Sequence, residues 1–170
     1  MRETMEITVR PRRPGDGEGL AQAWLDAGRY YAELAPDTFQ VPDTEGLADY
    51  LESGQDAEGE PDILRLVAEV GGRVVASAVG RIEPAAEAAR YQLQRQLSQT
   101  RLIVDVVVVQ EAFRSHGVGA RLMEGLEDWG RQRGATVALL DTYPESALSR
   151  PFFEERMGYR LRSSRLIKPL

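Results

Sequence analysis

Val106-Val107-Val108-Val109-Gln110-Glu111-Ala112-Phe113-Arg114-Ser115-His116-Gly117-Val118-Gly119-Ala120 is the stretch that decides the fold. Four successive valines predict a buried strand, because β-branched side chains pack well on a pleated surface. The run breaks into a short polar turn and then opens an amphipathic helix. Val118, Leu122, Leu126 and Trp129 fall near one face of that helix, with Met123 on its flank. The first turn of a helix leaves its N–H groups without intrahelical partners and carries partial positive charge. Gly117 and Gly119 let an anion approach that bare backbone. A strand feeding such a turn is suited to hold a phosphate or pyrophosphate.

The spacing separates the known phosphate cradles. A dinucleotide fold needs G-x-G-x-x-G, and a nucleotide triphosphatase needs G-x-x-x-x-G-K followed by Ser or Thr. Neither pattern is present around Gly117 and Gly119. The bland alternative is a tight strand-to-helix turn whose glycines serve packing.

Arg114-Ser115-His116-Gly117-Val118-Gly119 is similar to the Q/R-x-x-G-x-G/A pattern of the GNAT family of N-acetyltransferases, and the preceding V-Q-E-A-F-R resembles that family's strand exit. Downstream, Ser146-Ala147-Leu148-Ser149-Arg150-Pro151-Phe152-Phe153-Glu154-Glu155-Arg156-Met157-Gly158-Tyr159 resembles the family's second signature, N-x-x-A-x-x-x-Y-E-K-x-G-F. Ser146 stands at the Asn position, Ser149 at the Ala and Phe153 at the Tyr, and Gly158-Tyr159 closes the motif one residue late. With the flanking elements, the resemblance covers nearly all of the chain. It implies one acetyltransferase domain over residues 1–170, of the α/β (α+β) class. Its central mixed, mostly antiparallel sheet would splay between two parallel strands, with helices on both faces.

The pattern of residues predicts the elements in order. Strands fall at 6–10, 63–70, 73–82, 102–109, 135–141 and 159–168, with Gly71-Gly72 as a hairpin turn. Helices fall from Pro14 and Asp16 through the stripe Leu20, Ala23, Trp24, Ala27 and Tyr31, near 44–51, from the glycine turn to about 133, and at 151–156. Residues 53–61 read as a Gly/Glu-rich loop and the most mobile element. Residues 83–99 form an insertion whose Ala86, Ala89, Leu93 and Leu97 recur at helical spacing. Packing on the sheet is the stronger expectation for it. Cover over the acceptor site and contact within a homodimer are the alternatives.

Size and composition set bounds. At 170 residues, with 42% apolar and 28% charged residues, the chain is an ordinary globular protein able to bury a core. No apolar run reaches membrane-spanning length and the N-terminus lacks a signal-peptide segment, so no membrane partner is expected. The absence of cysteine excludes disulfides and thiolate chemistry, and a single histidine makes a His-based metal site improbable, so no metal is expected. These features point to the cytoplasm. Residues 36–62 hold nine acids and no Lys or Arg, which leaves 18 acids against 21 basic residues elsewhere. That segment is either a solvated face or a negative rim that attracts a cationic substrate. No basic stripe with interleaved aromatics appears, so nucleic-acid binding is not expected.

The resemblance implies acetyl-CoA as co-substrate, lying between the strands at 102–109 and 135–141. Pantetheine would pair with backbone groups of Val107, Val108 and Val109. Pyrophosphate would rest on the turn of Ser115, His116, Gly117, Val118, Gly119 and Ala120, with Arg114 adding charge. Ser146 and Phe153 would line the same site. The expected reaction is direct attack by a primary amine of a small acceptor, cationic if the acidic segment is a steering rim, in a ternary complex, with the Val109 N–H as donor to the oxyanion. Such an attack needs a base and an acid. Asp141 and Asp105 are equal candidates for the base, with Glu83 behind, and a water relay could replace all of them. Asp105 is costly in a valine run unless it has a partner such as an arginine. Phe153 cannot donate a proton, so Tyr143 is the first candidate for the acid and Glu154 the second. The alternative function is a catalytically idle acetyl-CoA-binding module, a sensor or interaction protein. A third, an unrelated phosphate-binding domain, would make the second signature a coincidence.

Overall fold

The structure is a computed structural model describing residues 5–53 and 60–168. Its scaffold is a five-stranded sheet in sequential order: β1 (Thr8–Pro11), β2 (Ile63–Val70), β3 (Arg73–Glu83), β4 (Arg101–Val109) and β5 (Val137–Leu140). The first four pair antiparallel, and β5 runs parallel to β4. Gly71 and Gly72, at φ 57° and 74°, form the two-residue β2–β3 turn that needs left-handed backbone at both positions.

Alternation along the strands sends side chains to two faces, and each face has its own helical cover. Leu66, Ala68, Ala76, Ala78, Leu102 and Val104 meet Val118, Leu122, Met123 and Leu126 of α3 (Val118–Gln132) in the larger core. Full burial of a Leu or Met side chain contributes about 1.5–3 kcal/mol. Val67, on the opposite face, packs with Leu20 of α1 (Gly17–Leu34) and with Leu47 and Leu51 of α2 (Leu47–Ser53). Glu52 of α2 accepts the Gly15 and Gly17 N–H groups at 2.9 and 3.1 Å, which satisfies donors at the start of α1. Asp16, at that same end, is buried. Burial raises its carboxyl pKa, but the Arg10 guanidinium at 2.7 Å and the Arg13 N–H at 2.8 Å outweigh this and hold it below the usual range.

β4 carries one irregularity that shapes everything around it. Val104 pairs with Gly80 and Val106 with Val79, so Asp105 is an extra residue bulged out of the ladder. A bulge bends its strand and increases the twist. The β4–β5 pairing stops at the same point, with Val104 opposite Leu140 as its last pair. Beyond it β5 has ended and β4 runs on to Val109 with no strand on that side, at the place where the splay is expected.

Three expected elements differ. Residues 84–99 do not form a helix on the sheet: they make two short 3-10 turns, Ala89–Tyr91 and Arg95–Ser98, and Leu93 is fully exposed. Alanines at helical spacing bury too little surface to hold a helix there. Residues 159–168 alternate in sequence yet form no strand, and Leu161, Leu166 and Ile167 are exposed. The helix expected at 151–156 is a short turn, α4 (Ser149–Pro151), that widens into a π turn over Phe152–Arg156. Of the loop expected at 53–61, residues 54–59 lie outside the described residues.

Candidate active site

Past the last β4–β5 pair, the open edge of β4 and the chain that follows β5 form two different walls. On the β4 wall, the Gln110 N–H donates to the Val75 carbonyl at 2.9 Å. Antiparallel pairing alternates, so Val108 shares Gln110's orientation toward β3, while Val107 and Val109 turn their N–H and C=O groups into the gap. The Val109 carbonyl accepts the Arg114 Nε–H at 3.2 Å, which confirms its direction.

The chain then leaves β4 through a turn fixed at several points. Gln110 Nε2 donates to the Gly19 and Val74 carbonyls, each at 3.1 Å, and the Glu111 N–H donates to Asp26 at 2.8 Å. Ser115 and Gly117 have left-handed backbone, at φ 63° and 88°. Alternation of this kind turns successive N–H groups toward one concave side, a geometry that suits anions. The first helical bond of α3 at this end is Arg121 N–H to the Gly117 carbonyl, 3.1 Å, so the amides before Arg121 have no such intrahelical bond. His116 is exposed, with Nδ1 2.7 Å from the Arg114 carbonyl.

The two glycines act differently. Gly117 is required by its positive φ. At Gly119 the constraint is space: a Cβ would lie 3.3 Å from the Phe152 ring and 3.8 Å from Val109 Cγ2. The packing role weighed for the glycines therefore holds at Gly119. A Cβ on Gly117 would also lie 3.6 Å from an Arg156 guanidinium nitrogen, so a second cation stands near the turn. Sequence reading missed Arg156, although a basic residue two places before Gly158 matches the Lys of the second signature.

The β5 wall is built from side chains. Ser146 is 2% exposed; its Oγ accepts the Ser149 N–H at 3.0 Å and lies 3.1 Å from the Tyr30 hydroxyl on α1. The Arg114 guanidinium lies 5.7 Å from the Tyr30 ring centre. Tyr30 begins a row of rings that continues through Tyr31 at 5.1 Å, Phe39 at 5.0 Å and Tyr143 at 5.4 Å. Phe153, 8% exposed, is turned into the larger core against Tyr159, and its neighbour Phe152 is the ring beside the glycine turn. The π turn explains the late end of the second signature. Met157 N–H bonds to the Phe152 carbonyl at 3.1 Å, five residues back, so one extra residue is absorbed without displacing the helix ends. Burial, with Glu127 close by, pushes the Tyr159 hydroxyl pKa upward.

The carboxylates divide by partner. Both Asp105 oxygens accept from Arg81 Nε, at 3.2 and 3.0 Å, so the partner expected for an acid in the valine run is an arginine across the ladder. Glu83 is held by Arg81 and by Arg101, the latter at 3.1 Å. Glu154 pairs with Arg150 at 3.0 Å. Asp141, just past β5, is 77% exposed and among the described residues meets only Arg165 of the C-terminal segment. Asp37, Asp43, Glu45 and Asp49 are exposed and form no ion pair among the described residues; Asp56 and Glu58 lie outside them. Among the described residues, no group of His, Cys, Asp and Glu is arranged to hold a metal, and no helix is long and apolar enough to cross a membrane.

Comparison with known proteins fits this geometry. The model of the acetyltransferase (GNAT) family matches residues 28–159, and the chain belongs to that family. It is 39% identical over 71 residues to mouse (Mus musculus) N-alpha-acetyltransferase 80, a match covering 41% of this chain and 21% of that protein. The fold is similar to a tetramutant of the BH1408 protein from Bacillus halodurans, with TM-score 0.78 and 16% identity over 96% of this chain and 99% of that one. It is also similar to the aminoglycoside N-acetyltransferase AAC(6')-Iy in complex with CoA, with TM-score 0.62 and 18% identity over 100% and 98% of the two chains.

Proposed function

We propose that the protein transfers the acetyl group of acetyl-CoA to a primary amine of a small cationic acceptor, by direct attack in a ternary complex. The observation that carries this reading is the free edge of β4. The ladder to β5 ends at Val104, and the exposed edge runs straight into a turn of inward-facing amides. Pantetheine would add to that edge as a strand, bonding the main-chain groups of Val107 and Val109 and resting beside Val108. Its pyrophosphate would take the amides of residues 115–120, with Arg114 and Arg156 as counter-charges. Glycine at 117 fits this, because the positive φ it allows shapes the turn that would face the pyrophosphate.

The thioester supplies an activated acyl group; the chain must supply a route for protons. An ammonium has no lone pair, so the acceptor loses a proton before attack. We assign that proton to Asp141. Asp105, Glu83 and Glu154 each face an arginine within the fold, whereas Asp141 stands at the exit of β5 with only an exposed partner. The acceptor would enter past the acidic 36–49 segment, whose unpaired carboxylates favour a cation. Amine acceptors are also what the names of the related acetyltransferases indicate.

The test is release of free CoA thiol from acetyl-CoA with spermidine, histamine and neamine as amines. Turnover with at least one cationic amine is expected. Asp141→Asn should lower kcat about tenfold or more by removing the base, while Asp105→Asn should leave kcat within about threefold because its partner is Arg81. Tight acetyl-CoA binding with no thiol release from any amine favours the second reading, an idle binding module. Phe153, which has no hydroxyl at the signature's Tyr position, is the observation on that side.

A further inference from the structure

We propose that Tyr30, on α1, is the proton donor to the departing CoA thiolate; this rests on the acetyl-transfer reading above. The argument is one of hydrogen-bond direction. Ser146 is 2% exposed, and its Oγ already accepts the Ser149 N–H at 3.0 Å. A hydroxyl carries one proton, and a buried one must find an acceptor. Among the described residues the acceptor within reach is the Tyr30 oxygen, at 3.1 Å. Either hydroxyl can donate across this contact, and in the arrangement that gives the Ser146 proton an acceptor, Ser146 donates to Tyr30 and the Tyr30 proton is free. Tyr30 is half-buried, so that proton is available to whatever occupies the gap.

Its place is suited to the task. Tyr30 joins the exits of the two splayed strands: its hydroxyl touches Ser146 beyond β5, and its ring lies 5.7 Å from Arg114 beyond β4. Arg114 in turn holds the Val109 carbonyl on the free edge. The candidates read from the sequence are placed less well. Phe153 has no hydroxyl and is turned into the core, and Tyr143 packs edge-on against Phe39 at the far end of the ring row.

The step balances without any further reactant. The amine lone pair forms the C–N bond and the carbonyl pair moves to oxygen. When the carbonyl re-forms, the C–S bond breaks with its electron pair on sulfur, and the Tyr30 Oη–H proton goes to that sulfur. The phenolate left behind keeps the Ser146 hydrogen bond, with the Arg114 guanidinium 5.7 Å from the centre of its ring. The ammonium gives its first proton to Asp141 before attack; the nitrogen of the adduct releases a second, and water carries that one to the phenolate.

The experiment compares wild type, Tyr30→Phe and Ser146→Ala, with spermidine, histamine and neamine as acceptors. Thiol release gives kcat, and calorimetry gives acetyl-CoA affinity. Tyr30→Phe removes one hydroxyl and keeps the ring contacts. It should lower kcat by about 10²- to 10⁴-fold, leave acetyl-CoA affinity within about threefold, and abolish the basic limb of the kcat–pH profile. Ser146→Ala should lower kcat less and move that limb, because the donor stays and loses its orienting bond. Normal kcat in Tyr30→Phe, with wild type active, overturns the assignment and leaves acetyl transfer standing. So does a change confined to acetyl-CoA affinity, or loss of the basic limb in Tyr143→Phe instead. A wild type that neither binds nor cleaves acetyl-CoA overturns both proposals.

Discussion

The two edges of β4 are made from the same run of valines and do opposite things. Toward β3 the strand is laddered from Arg101 to Val109, with a single bulge at Asp105. Toward β5 the ladder covers four pairs and stops at Val104. One edge spends its hydrogen bonds on the fold, and the other leaves them for a ligand. An unpaired edge next to a parallel strand is normally a liability for association with other chains. Here it leads directly into the Ser115–Gly117 turn, whose left-handed backbone follows the free donors of the strand in the chain.

That contrast can be broken by proline, which deletes an N–H at a chosen position. Val108 points its N–H at β3, so Val108→Pro removes a ladder bond and leaves a carbonyl unpaired, at a cost of about 1–3 kcal/mol beyond any packing loss. Val107 points into the gap, so Val107→Pro spares the β3 ladder. It should retain more stability than Val108→Pro, by about that amount, yet bind acetyl-CoA about tenfold more weakly. Thermal unfolding and calorimetry on both variants read the two edges separately. Equal loss of stability would mean the edges are not distinct.

The end of the free edge is expected to give the larger loss of affinity. In Gly119→Val the Cβ would sit 3.3 Å from Phe152 and 3.8 Å from Val109 Cγ2, and the two methyls would need still more room beside the turn. Acetyl-CoA affinity should fall well over tenfold, about 1.4 kcal/mol or more. Gly119→Ala should fall between the two. A folded Gly119→Val protein with wild-type affinity would remove the turn from the cofactor site.

What the sequence made legible follows the same division. The strand, the glycine turn and α3 were readable because they rest on local pattern: a valine run, two glycines at fixed spacing, and a 3.6-residue stripe from Val118 to Leu126. Backbone sites are local, so local pattern finds them. The β5 wall depends on contacts between distant residues. Tyr30 and Ser146 are 116 positions apart, and Arg81 and Asp105 meet only because of the β3–β4 register. The late Gly158 was visible as a slip, but that a π turn absorbs it, leaving Phe153 in the core and Phe152 at the turn, is decided by packing. Residues 86–97 and 159–168 show the opposite error. Each has a periodic pattern, and among the described residues neither pairs with a strand on which to use it.

The smallest effect concerns the acidic side, where side chains act at a distance instead of through the backbone. Asp37, Asp43 and Glu45 are exposed and carry no ion pair among the described residues, so their attraction for a cation is fully open to salt. Each exposed charge contributes little, on the order of 0.2–1 kcal/mol. Raising ionic strength from about 0.01 M to about 1 M shortens the screening length from about 30 Å to about 3 Å. The acceptor KM should therefore rise roughly threefold over that range, with kcat unchanged, since steering acts on encounter and not on the bonds being made. Replacing Asp37, Asp43 and Glu45 together by Asn, Asn and Gln should raise KM by a similar factor at low salt and flatten its salt dependence. The free edge of β4 predicts a different signature: its backbone donors carry no net charge, so Val107→Pro should weaken acetyl-CoA binding by the same factor at both salt concentrations. An acceptor KM indifferent to salt, or a best substrate that is anionic, would assign the acidic segment to solvation alone.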